Sequence, residues 1–186
     1  FPTNKWEPKN AGRAIAPFFC KGEEMQFYHV DDAYISYLRK FDDKVSENKK
    51  EKRPYVGIVF EIAGIKYYAP FTSPKPKHRT MKNGKDFLKI KDGIYGAINF
   101  NNMIPVPDSA LIFFDFRQET DLQYRNLLTK QYREIRDNKE EIKKTAQELH
   151  TLLMKADEEL SPWDLRIKAR CCNLRLLEQI YRDYHK

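Results

Sequence analysis

The spacing of apolar residues changes lastingly near Asp121, and the change points to a fold in which most of the sheet precedes most of the helices. Upstream lie short, β-branched and aromatic runs: Gln26 to Val30, Tyr55 to Ile62, Ile65 to Phe71, Phe87 to Lys91, Ile94 to Ile104 and Leu111 to Phe116. Ala63-Gly64 and Asp92-Gly93 supply turns, and Pro105 and Pro107 interrupt the later part. One early helix is expected, capped by Asp31 and running to about Phe41, with Tyr34, Tyr37, Leu38 and Phe41 on one face. From about Asp121 to Lys155 the spacing is helical, carried by Leu122, Leu127, Leu128, Ile135, Ile142, Leu149 and Leu152. Ser161-Pro162-Trp163-Asp164 begins a last helix, with Leu165, Cys172, Leu176, Ile180 and Tyr184 along its stripe. The expected fold is therefore α+β: a small, mostly antiparallel β-barrel with packed helices, the longest ones C-terminal.

A length of 186 residues suits one domain. Residues 1–24 hold three prolines and no clear period. They read as an N-terminal extension or leader of uncertain origin, with Met25 opening a single domain over 25–186. A genuine N-terminal arm is the alternative. Hydrophobic residues at 41%, with 11 Tyr and 12 Phe, exclude a disordered chain. A net charge of +7 favours polyanionic partners, although many basic proteins bind none. The longest apolar stretch, Ala14 to Cys20, is far short of the roughly 20 residues of a membrane span, and Pro17 breaks it. The three cysteines lack metal-site spacing and fit reduced thiols in a cytoplasmic protein. The four histidines, His29, His78, His150 and His185, show no ligand spacing, and neither a P-loop nor a nucleophile elbow is present. No metal and no cofactor is expected. Asp42-Asp43 reads as a solvated pair.

Chemistry concentrates after the first hairpin, in Thr72-Ser73-Pro74-Lys75-Pro76-Lys77-His78-Arg79-Thr80. Lys82, Lys85, Lys89 and Lys91 extend the positive charge, with Asp86 the single acid among them. Hydroxyls and cations on one irregular segment can hold a phosphate and stabilise charge that grows in phosphoryl chemistry. Histidine can move protons near neutral pH. Ordinary turn chemistry explains the same residues, and on composition alone it is the stronger reading.

Several segments together resemble the ToxN/AbiQ family of type III toxin–antitoxin endoribonucleases. They are Met25-Gln26-Phe27-Tyr28, the stretch Tyr37 to Val45, Val56-Gly57-Ile58-Val59, Tyr67-Tyr68-Ala69-Pro70, Thr72-Ser73-Pro74-Lys75, Asn99 to Pro105 and Leu176 to Tyr184, in that order along the chain. The resemblance implies a Kid/MazF-like, SH3-like barrel with added helices. It also implies metal-independent cutting of A-rich RNA to a 2′,3′-cyclic phosphate, and a role in abortive phage infection. The implied inhibitor is an RNA antitoxin of pseudoknot repeats that alternates with toxin around a closed ring.

The family motif, a lysine two residues after a Ser/Thr pair, falls on Thr72, Ser73 and Lys75, and His78 falls where relatives can carry histidine; it is the candidate general acid or base, with a simple RNA contact as the alternative. A basic position before the first long strand falls on Arg53. Lysine ordinarily keeps its proton at neutral pH, so Lys75 suits charge stabilisation better than base catalysis. RNA contacts are expected from Lys49, Lys50, Lys52, Lys77, Arg79, Lys82, Lys85 and Lys89. A non-catalytic toxin of the same fold with a protein target, and a plain RNA-binding module, are the alternatives.

Overall fold

The structure, a computed structural model, describes residues 25–48 and 53–184. Its strands are β1 (Gln26–Val30), β2 (Tyr55–Ile62), β3 (Ile65–Thr72), β4 (Phe87–Lys89), β5 (Ala97–Asn99), β6 (Ile104–Pro105) and β7 (Leu111–Phe113). Its helices are α1 (Asp32–Arg39), α2 (Pro76–Thr80), α3 (Leu122–Asp137), α4 (Lys139–Leu153), α5 (Pro162–Arg170) and α6 (Leu174–Tyr181). The expected α+β arrangement, an antiparallel sheet followed by C-terminal helices, is present.

The β2–β3 hairpin organises the sheet. Ala63 and Gly64 both have positive φ, 49° and 77°, and such a tight turn matches the right-handed twist of the strands. Within the hairpin Gly57 pairs with Tyr68. A side chain on Gly57 would place its Cβ 2.0 Å from the Tyr68 ring, so glycine gives that ring its space. β1 lies between β2 and β7, and β3 pairs with β5 and β6 as well as β2, every pairing antiparallel.

The hydrogen-bonded path runs β4-β5-β3-β2-β1-β7, with β6 on β3. Its two ends do not pair with each other among the described residues, so the barrel expected from the strand pattern is not closed by hydrogen bonds. Helices complete the core instead. Phe27 of β1 meets Phe71 at 4.5 Å, Phe116 at 5.3 Å and Tyr132 of α3 edge-on at 5.6 Å. Leu128, Ile135, Ile142, Ala146 and Leu149 bury the inner faces of α3 and α4. Each such Leu or Ile side chain contributes roughly 1.5–3 kcal/mol when removed from water.

Several boundaries differ from the sequence expectation. The long helix breaks at Asn138, whose φ of −109° and ψ of 21° separate α3 from α4. The last helix breaks at Cys171–Asn173, where Cys172 N–H donates to Asn101 O (2.9 Å) and Asn173 N–H to Asp42 Oδ2 (2.7 Å). Tertiary partners thus replace the helical ladder there, and Asp42 is a buried clamp rather than half of a solvated pair. The run from Ile94 to Ile104 is split into β5 and β6 by a 3-10 turn at Phe100–Asn102. On α1, capped by Asp31 as expected, Tyr34, Ile35 and Leu38 are buried, whereas Phe41 is 48% exposed.

Candidate functional site

The candidate residues collect where β1, β2 and β3 end together. Tyr55 pairs with Pro70, and Phe71 N–H donates to Pro54 O at 3.2 Å. Continuing that register sets Arg53 directly across from Thr72. Thr72 in turn pairs with Ala97 of β5, which pairs with Lys89 of β4. On the other side His29 Nδ1 lies 3.2 Å from Arg53 O. The Arg53 guanidinium is held at the rim by its Nε–H, which donates to Glu47 O at 2.9 Å.

Two features that sequence reasoning missed fix the Thr72–Ser73 backbone. Gln131 of α3, only 1% exposed, donates from Nε2 to Thr72 O (3.2 Å) and to Tyr95 O (2.6 Å). Gly96, at φ +101°, packs so closely that a Cβ there would stand 1.9 Å from Thr72 O. Gln131 sits on the buried stripe of α3, one turn before Ile135, and that periodic position was its available signal. A polar residue on an apolar stripe needs a partner, and here the partners are two backbone carbonyls.

Beyond Thr72 the chain is exposed at Ser73, Pro74 and Lys75 and then turns into α2, a short helix where an irregular loop was expected. Pro76 stands at its first position, where a missing N–H costs nothing. The Thr72 hydroxyl donates to Ser73 O at 2.9 Å, while the Ser73 hydroxyl has no hydrogen-bond partner among the described residues. His78 lies inside, 2% exposed, with Nδ1 accepting from Lys75 N–H at 3.2 Å. Burial first, then the charges of Lys77 and Lys75, hold its ring below the ordinary histidine pKa. That burial leaves the ring little surface to offer an RNA strand.

The expected RNA contacts divide. Lys77, Arg79 and Lys82 are exposed around α2. Lys85 is turned away instead, its Nζ donating to Asp164 Oδ1 at 2.6 Å, and the neighbouring Asp86 is gripped by Arg170 through two bonds of 2.6 and 2.7 Å. These pairs tie the segment before β4 to α5. Lys89 is half-buried beside a cavity of about 280 Å³ that Asn83, Glu134 and Asn138 also line. Lys49, Lys50 and Lys52 lie outside the described residues.

The remaining chemistry is distant or structural. His150 Nε2 lies 2.7 Å from Glu178 Oε1, and the Tyr67 hydroxyl donates to the same oxygen, joining α4, α6 and β3 inside the core. Cys171 and Cys172 are buried, and burial pushes both thiols up to about 12, so neither is a ready nucleophile. His185 is outside the described residues. No cluster of three or more His, Cys, Asp or Glu side chains among the described residues could hold a metal ion.

Fold and site together define a basic α+β protein that presents hydroxyls and cations on one rigidly backed loop. The family described as "Toxin ToxN, type III toxin-antitoxin system" matches residues 26–182, and the chain belongs to it. The endoribonuclease ToxN of Pectobacterium atrosepticum is 34% identical over 172 residues, covering 87% of this chain and 95% of that protein. The endoribonuclease ToxN of Bacillus thuringiensis subsp. kurstaki is 31% identical, with 86% and 84% covered. A solved type III toxin, described through its selective inhibition by a non-coding RNA pseudoknot, superposes with a TM-score of 0.76 at 30% identity, covering 87% of this chain and 98% of that one. The structure of AbiQ, described as a lactococcal anti-phage endoribonuclease, gives 0.72 at 28% identity, with 86% and 97% covered.

Proposed function

We propose that this chain is the endoribonuclease toxin of a type III system, cutting A-rich RNA without a metal. The observation that carries the reading is the Thr72–Lys75 loop: Ser73 and Lys75 are exposed, its backbone is fixed from behind by Gln131, and Arg53 stands across from Thr72. The substrate supplies its own nucleophile. The 2′-oxygen bonds to the adjacent phosphorus, the bond from phosphorus to the 5′-oxygen breaks, and the proton lost from the 2′-OH is balanced by one gained on the leaving oxygen. The products are a 2′,3′-cyclic phosphate and a 5′-hydroxyl. Lys75 and Arg53 stabilise the phosphorane oxygens. Ser73 donates a hydrogen bond to the same group, and Thr72 does so once its hydroxyl leaves the Ser73 carbonyl.

The inhibitor in this proposal is a repeated pseudoknot RNA that alternates with toxin around a closed ring. Lys77, Arg79 and Lys82 hold its phosphates, with Lys49, Lys50, Lys52 and Lys89 as further contacts. The setting is the cytoplasm and the role is abortive defence against phage; among the described residues no helix is long and apolar enough to cross a membrane. We also read the sheet as an opened form of the small Kid/MazF-type barrel, a reading supported by the pairing of β3 with three other strands. Residues 25–186 form the toxin domain in this reading, and residues 1–24 are an extension of it.

The deciding experiment incubates purified protein with A-rich RNA in excess EDTA and analyses the ends. Cleavage with cyclic-phosphate termini supports the proposal. Binding without cleavage makes the chain an RNA-binding module, and neither result points to a protein-directed poison.

A further inference from the structure

We propose that His78 is a positioning residue, whose ring accepts the backbone N–H of Lys75 and thereby fixes where that lysine stands in the reaction. The inference rests on the reading of Lys75 as the group that stabilises the phosphorane.

Lys75 immediately precedes α2 and His78 occupies the third helical position. Lys75 N–H donates to His78 Nδ1 at 3.2 Å, and His78 N–H donates back to Lys75 O at 2.9 Å. In the usual reciprocal cap a Glu or Gln at the third position accepts the N–H at the helix start. Here an imidazole takes that place. An accepting Nδ1 puts the proton of the neutral ring on Nε2, and an imidazolium, a donor at both nitrogens, could not make the bond.

His78 is itself held firmly. The Phe87 ring of β4 lies 5.8 Å from its ring. Gly93 abuts its backbone so closely that a Cβ there would be 2.5 Å from His78 O. On its own segment the charges of Lys75 and Lys77 act on the ring and Arg79 follows it in α2, while the turn Lys91–Gly93 reaches its backbone through Gly93. Lys75, by contrast, is exposed, so its ammonium is directed through its backbone alone. A residue that sets that backbone sets the catalytic geometry, and a displacement of about 1 Å can cost 100-fold in rate. A ring that moved protons for the substrate would instead need to titrate within reach of it.

The test compares His78→Ala with His78→Asn in single-turnover cleavage of A-rich RNA at saturating protein, with folding checked by thermal melts. Asn Oδ1 lies as many bonds from Cβ as Nδ1, accepts the same N–H and cannot titrate. His78→Ala is expected to lose about 10- to 100-fold in rate at nearly unchanged RNA affinity. His78→Asn should recover to within about threefold of the wild type and keep its rate as the pH falls, because its acceptor cannot be protonated. The His78→Ala/Lys75→Ala double variant should be no slower than Lys75→Ala. A folded His78→Asn as slow as His78→Ala, or losses that add in the double variant, overturns the proposal.

Nitrogen NMR of the histidine ring reads the bond independently of catalysis. An Nε2-protonated ring with a slowly exchanging Lys75 amide supports the inference, and an Nδ1-protonated ring overturns it. Absence of cleavage by the wild type with the bond intact would refute the nuclease reading, and with it the catalytic purpose assigned to the bond.

Discussion

Gly96→Ala should disable the site while leaving the protein folded. The Cβ it adds would stand 1.9 Å from Thr72 O, 3.0 Å from Thr72 C and 3.1 Å from Ser73 C, where ordinary contact begins at 3.4 Å. All three atoms are backbone, so no flexible side chain can swing aside. The two segments must part by about 1.5 Å at the closest contact, and the segment that moves carries Ser73 and Lys75. Misplacement of about 1 Å can cost 100-fold, so a loss of at least that size is expected. The φ of +101° adds strain of about 1–2 kcal/mol, and overpacking adds about 1–3 kcal/mol. A domain with roughly 5–15 kcal/mol of stability survives most of that range.

Gly64→Ala is the control. Gly64 also has positive φ, +77°, but its Cβ would meet nothing within 4 Å, and it lies at the far end of the β2–β3 hairpin from Thr72. It should lose about 1–2 kcal/mol in urea denaturation and cleave normally. The assays are urea melts and single-turnover cleavage of A-rich RNA. A folded Gly96→Ala protein that cleaves like wild type, or a Gly64→Ala protein that is equally slow, would refute the argument that this close approach sets the site.

Lys75→Ala should slow cleavage by about 100-fold or more through loss of a transition-state donor, with the melting temperature unchanged because the side chain is exposed; near-normal cleavage would remove Lys75 from the mechanism. Affinity for the RNA antitoxin should fall steeply with salt as Lys77, Arg79 and Lys82 release phosphate counterions, and a Kd that is flat across a wide salt range would contradict this. The pKa of His78 is lowered in the folded state, so between its folded and unfolded values the unfolded chain binds more protons. Its contribution to stability is therefore complete above about pH 6.5 and is lost as the pH falls through the folded value. Urea midpoints should drop more on acidification for wild type than for His78→Asn, and parallel curves would show that the ring does not titrate in that window.

Near-neighbour chemistry was written plainly in the sequence. The β-branched and aromatic runs of β1 to β3, the Ala63-Gly64 turn, the Asp31 and Ser161 caps and the helical spacing after Asp121 all depend on residues a few positions apart, and each appears where those residues place it. The Thr72-Ser73-Lys75 triplet and Arg53 were legible through resemblance, and the hairpin register explains why residues 19 positions apart come side by side.

Only tertiary contacts decided the rest. Gln131 reaches Thr72 across 59 residues, Asp42 holds Asn173 across 131, and Lys85 is claimed by Asp164 across 79. No local spacing encodes which distant carbonyl or carboxylate a polar side chain will meet. For the same reason the sequence placed His78 only on an irregular basic segment, whereas packing by Phe87 and Gly93 turned it inward onto Lys75. A basic residue's charge can be read from its identity, but its freedom to meet a phosphate depends on whether the fold has already given it an acid.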